Sequence, residues 1–174
     1  LSPETARPLL YYAINYCIGR IRDGERSFAP HLLQLYQQGI DEKTLVEEKQ
    51  LSPWTYKNIV KLGLNLKRYD WVEDFVKAYS DYLPPDQQKD ALHYNLAELY
   101  FYRAEYEAAL DQLRQVEFTD IHYNLGSRTL LAKIYYEQDA LDALESSLKA
   151  FQVFLRRNRS ISSKVKTPYV NFIR

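Results

Sequence analysis

Apolar residues return every three or four positions along most of the chain, which is the spacing of a helix face, and strand-like alternation is absent. Ser-Pro or Thr-Pro pairs stand just ahead of several of these stretches, where a side-chain oxygen can cap free N–H groups and proline fits the first turn. Ser2-Pro3 opens a helix to about residue 22, with Leu9, Leu10, Ala13, Tyr16, Cys17 and Ile21 on one face, and Asp23-Gly24 ends it. Ala29-Pro30 opens a second helix through Leu32, Leu33, Leu35 and Tyr36 to Gly39, which is expected to turn left-handed past the helix end. Residues 41–50 form a polar stretch.

Ser52-Pro53 starts a helix to about residue 66, and residues 69–82 make its antiparallel partner. Residues 85–104 with 105–116, and 120–138 with 141–157, make two more pairs, joined by connections too short for anything but a reversal. Thr167-Pro168 reads as the cap and first turn of a further helix that the chain end cuts short.

Laid over one another, the three pairs align Ile59, Leu96 and Leu131, which stand 37 and 35 residues apart. In the middle pair, Asn95-Leu96-Ala97-Glu98-Leu99-Tyr100 followed by Glu105-Tyr106-Glu107-Ala108-Ala109-Leu110 resembles the tetratricopeptide repeat pattern. Ala97 and Ala109 are small enough to let two helices approach, and Tyr100 and Tyr106 fill the space between hairpins. The third pair repeats the pattern with Leu131, Ala132, Tyr135, Leu141 and Leu148, but Leu144 replaces the small residue, so its packing is expected to be looser or shifted. The first pair has Ile59, Tyr69, Val72, Val76 and a closing Pro84, with Val60 and Gly63 where a small residue and a Tyr are usual.

The resemblance implies an all-α fold, a right-handed α-solenoid of antiparallel hairpins. Its parts are an N-terminal hairpin over 1–40, either a divergent repeat or a cap, and repeats over 52–84, 85–119 and 120–157. A basic linker and the start of another helix follow over 158–174. An uncovered solenoid end predicts a monomer or weak self-association.

The 23 basic and 23 acidic side chains cancel, so nothing draws the chain generally toward nucleic acid or an anionic membrane. That balance argues against the alternative, a pentatricopeptide-like RNA-binding repeat, which has a similar period but carries a basic groove. One cysteine, Cys17, excludes an internal disulfide and points to a reducing, cytoplasmic setting. No apolar run approaches the roughly 20 residues of a membrane helix. From Gln152 onward six basic residues and no acidic one occur, a pattern that suits a solvated helix end.

Catalytic chemistry has little to stand on. His31, His93 and His122 are the only histidines; Asp90 and His93 lie one helical turn apart, whereas catalytic zinc wants three protein ligands. His93 is therefore expected to be a half-buried packing residue, and Cys17 a small hydrophobe. No catalytic residue, metal or cofactor is expected. With 16 tyrosines, however, the chain is rich in the residue that interaction surfaces favour, and Tyr94, Tyr102 and Tyr136 fall off the packing positions.

In a tetratricopeptide geometry the first helix of each hairpin lines the concave face. That implies a peptide-binding groove of Lys57, Lys61, Asn65, Tyr94, Glu98, Phe101, Tyr102, Thr129, Lys133 and Tyr136, with Leu64 beside them. Lys57 and Asn95 match the clamp with which some of these domains hold the C-terminal carboxylate of heat-shock chaperones; Lys61, Gly126 and Leu130 depart from it. The expected role is a non-catalytic scaffold for a protein or peptide partner, an acidic and apolar segment or another part of its own chain.

Overall fold

The structure, a computed structural model, describes residues 3–117 and 120–174. The regular structure of these residues is helical apart from a short β-ribbon. Two compact units divide the chain, Leu1–Gln88 and Lys89–Arg174.

The first unit contains α1 (Pro3–Arg22), α2 (Phe28–Asp41), a ribbon of β1 (Val46–Glu47) and β2 (Gln50–Leu51), α3 (Pro53–Asn65), α4 (Tyr69–Tyr79) and a 3₁₀ turn, Ser80–Tyr82. Helix α1 packs on α2, α2 on α3 and α3 on α4. Tyr56, Ile59 and Val60 of α3 and Val72 and Val76 of α4 are fully buried. Along α4 the rings of Trp71, Phe75 and Tyr79 stack at 5.5 and 5.2 Å, and Tyr82 continues the column at 5.1 Å. Tyr56 packs on Phe75 at 5.3 Å, and its hydroxyl lies 2.9 Å from Ser80 Oγ, which donates to the Val76 carbonyl.

Several expectations change here. On α1 the buried residues are Ile14 and Cys17, whereas Leu9 and Tyr16 are 55% and 59% exposed, so the buried face is rotated from the one the sequence suggested. Gly39 lies inside α2, not beyond it; a Cβ there would stand 2.6 Å from Leu45, so close packing explains it, and Lys43 takes the left-handed turn at φ 56°. The stretch after α2 forms the ribbon, pairing Val46 with Leu51 through a turn at Glu48 and Lys49, both at positive φ. Ser52 makes no side-chain cap, although Pro53 does take the first helical position.

The second unit holds most of α5 (Pro85–Tyr102), then α6 (Tyr106–Leu113), α7 (Ile121–Glu137), α8 (Leu141–Arg157) and α9 (Ser163–Ile173). One core gathers Ala97, Ala109, Leu113, Leu130 and Ile134; another gathers Leu125, Phe151, Leu155 and Ile161. Helix α7 is capped by Asp120, whose carboxylate accepts from the His122 and Tyr123 N–H groups. Helix α9 starts at Ser163 behind a Ser162 cap, so Thr167-Pro168 lies within it and does not open it. On α8 the buried residues are Phe151 and Leu155, while Leu144 and Leu148 are half-buried and Leu141 is 63% exposed. Packing is thus shifted to the C-terminal half of that helix, as the bulk of Leu144 suggested.

The reversals are built alike. After α3, α5 and α7 the chain places Lys67, Ala104 and Asp139 in the left-handed region, at φ 56°, 60° and 54°. Each donates its N–H three residues back, and the next residue donates five residues back, for example Ala104 to Phe101 and Glu105 to Tyr100. This pair of bonds closes a Schellman turn and satisfies carbonyls that the helix end leaves open. The following residues, Arg68, Glu105 and Ala140, share φ near −90° and ψ of 52° to 67°, and the second helix starts at once. Gly24, at φ 98°, makes the same two bonds after α1, but three more residues precede α2.

Candidate protein-interaction surface

In the first unit, Lys57, Lys61 and Asn65 stand one turn apart along α3, and all three are exposed. Trp54, one turn before Lys57, heads the same stripe and is 60% exposed, and its sign in the sequence is a tryptophan at a helix start with no apolar neighbour three or four places on. Leu64 is buried and belongs to the core, not to this face.

In the second unit, Tyr102 of α5 and Tyr136 of α7 are 44% and 70% exposed, and Lys133 is exposed one turn before Tyr136. Phe101 is half-buried, its ring 5.9 Å from Tyr106. Glu98 and Thr129 are half-buried, and the Thr129 hydroxyl donates to the Leu125 carbonyl.

Tyr94 departs from its expected place off the packing positions. Its ring lies 5.4 Å from Tyr123 and packs against the core, and a Cβ at Gly126 would come within 2.8 Å of it. Burial, then the adjacent Glu98 carboxylate that accepts its hydrogen bond, hold the Tyr94 phenol well above its ordinary value. Tyr123 is pushed up to about 12, first by burial and then by Asp120. Both phenols are neutral packing groups.

The chaperone-type clamp is also closed by packing. Asn95 is 4% exposed and its amide donates to the Ala91 carbonyl, Leu130 is buried, and the Tyr94 ring fills the space over Gly126. Asp90 is 1% exposed and accepts from the backbone N–H groups of Glu117 and Asp120, fastening the connection into α7. His93 is half-buried with Nδ1 2.9 Å from Gln112 Oε1. Burial raises the Cys17 thiol and favours its neutral form. Among the described residues no three of His, Cys, Asp and Glu are grouped to hold a metal ion, and no helix is long and apolar enough to cross a membrane.

Lysine pairing differs between the helices of two pairs, α3–α4 and α7–α8, whereas Lys89 of α5 is itself paired with Glu117 and Arg156 of α8 has no ion-pair partner among the described residues. On the second helices Lys77 pairs with Glu73 at 2.7 Å, Arg114 with Asp111, and Lys149 with Glu145 at 2.5 Å. On the first helices Lys57, Lys61 and Lys133 have no ion-pair partner among the described residues. Cations neutralised within their own helix offer a partner little, whereas unpaired ones keep their full field. Comparison with protein families, with curated proteins and with solved structures finds no match to this chain.

Proposed function

We propose that the chain is a non-catalytic, tetratricopeptide-like scaffold that holds a protein segment rich in acidic and apolar residues on the first-helix faces of its hairpins. The observation that carries this reading is the charge contrast: exposed lysines of α3 and α7 are unpaired while those of α4 and α8 are neutralised in place. In the second unit the exposed rings of Tyr102 and Tyr136 supply anchors, with Lys133 one turn before Tyr136. The recurring Schellman turn supports a repeat, because it returns at the 37- and 35-residue spacing of Ile59, Leu96 and Leu131.

The test is titration of the chain against an array of labelled peptides graded in acidic and apolar content, with a single-stranded oligonucleotide as competitor. Tyr102→Ala should weaken the best peptide by about 2 kcal/mol, and Lys57→Ala by less than 1, mostly through slower association. Full affinity in Tyr102→Ala, or contacts mapped to Glu73 and Asp111, would place binding elsewhere. Tight oligonucleotide binding with a steep salt dependence would favour RNA instead.

A further inference from the structure

Between α8 and α9 lies a groove of about 670 Å³. Its floor is aliphatic, made by Leu148 and Leu155 of α8 and Val170 and Ile173 of α9. Arg156, Lys166 and Arg174 stand along its rim, and none of them has an ion-pair partner among the described residues. The rim's single acid, Glu145, is held by Lys149 at 2.5 Å. Three uncompensated cations thus converge on one apolar trough in a chain whose net charge is zero.

We propose that this groove docks an amphipathic helix of a partner protein, with apolar residues facing the floor and Asp or Glu along both flanks. Charge complementarity selects the occupant: an apolar helix with neutral or basic flanks would leave the three cations facing low-dielectric surface without a counterion. Groove residues on α8 run from Glu145 to Arg156, which at the helical rise is about 17 Å, so the bound helix spans about three turns. Nucleic acid fits less well, because single strands stack their bases on aromatic rings and none of the lining residues is aromatic. A lipid surface fits less well too: of the four floor residues only Val170 is exposed, while Leu155 is 3% exposed and Leu148 and Ile173 are half-buried, too deep to insert between acyl chains. This site is separate from the first-helix faces and does not depend on them.

The probe is a fluorescein-labelled, hydrocarbon-stapled helix of about 11 residues, with Leu at i, i+4 and i+7 and Glu on the flanks, added to the full 174-residue chain. Anisotropy should report micromolar binding, weakened at least about tenfold by Arg156→Glu or Lys166→Glu, with amide shifts centred on Leu148 and Val170. Arg174→Glu, at an exposed residue, gives the same reading should either of those variants melt early. Equal affinity for a Lys-flanked version of the probe overturns the proposal. So does displacement by oligouridine, or sedimentation as a dimer through these two helices. Loss of binding in Tyr102→Ala, with Arg156→Glu unaffected, would show the peptide on the first-helix face and sink this site while leaving the proposed function intact.

Discussion

The two units solve one packing problem from opposite sides. In α3–α4 the room for close approach comes from the first helix: a Cβ at Gly63 would stand 2.4 Å from Val72 Cγ2, and Val72 is fully buried. In α5–α6 the residue matching Gly63 is Tyr100 and the one matching Val72 is Ala109, so the small side chain sits on the second helix. What the fold requires is a total volume at the crossing, not a particular residue at a particular position. The pair α7–α8 shows the third outcome, in which Tyr135 and Leu144 are both large and burial moves down α8 to Phe151 and Leu155.

Breaking each arrangement on its small side should give the largest effects. Gly63→Ala in the first unit and Ala109→Leu in the second are each expected to cost about 2 to 3 kcal/mol, read from chemical denaturation. Adding Val72→Ala to Gly63→Ala should recover at least about 1 kcal/mol relative to the sum of the single changes, since the two groups collide. Strict additivity would mean that Gly63 is not there for Val72.

A pH series sharpens the contrast further. The Tyr123 phenol, near 10 when unfolded, rises to about 12 in the folded chain, so folding favours its neutral form. Stability from this group is complete below pH 10 and drains away as pH climbs toward 12, by about 2 to 3 kcal/mol. Tyr36 and Tyr79 in the first unit are also raised by burial, so the comparison is with Tyr123→Phe, which should flatten that part of the decline in thermal melts between pH 9 and 11.5. An identical slope in the variant would assign the loss to other groups.

The smallest effects concern the turns. Ala104 occupies a left-handed position at a steric cost, so Ala104→Gly should stabilise by about 1 kcal/mol, and Gly24→Ala should destabilise by a similar amount. A drop in melting temperature on Ala104→Gly would show that the turn is not held as described.

Helices announced by a cap or a proline were legible from the chain. Pro85 opens α5 and Asp120 caps α7, whereas α8, with Ala140 before it, carries neither sign and is legible only from the apolar spacing over 141–157. Other features had no local sign. The ribbon at 46–51 has Glu48-Lys49 in its turn instead of Asn-Gly, and its two-residue strands are too short for an alternating pattern. Gly39 and Gly126 looked like breakers or substitutions, yet their meaning lies in Leu45 and Tyr94, brought from elsewhere in the chain. Lys57, Lys61 and Lys133 were readable as exposed, but that they are unpaired while Lys77 and Lys149 are not depends on rotamers. The α8–α9 groove was hidden because the basic run after Gln152 reads equally well as a solvated helix end.

The Schellman turns also set a time scale. Every bond in them spans three or five residues, and those after α3, α5 and α7 each join two helices across a connection of three residues, so a hairpin can close without waiting for distant segments. Loop closure over such distances takes tens of nanoseconds and helix growth about a microsecond, and chains dominated by local contacts fold in microseconds to milliseconds. In the second unit the connection into α7 is fastened by the Asp90 carboxylate to residues 117 and 120, contacts that reach across 27 and 30 positions. Helical pairs should therefore appear early after dilution from denaturant, and the seating of Asp90 should mark the slower step at which that unit becomes native.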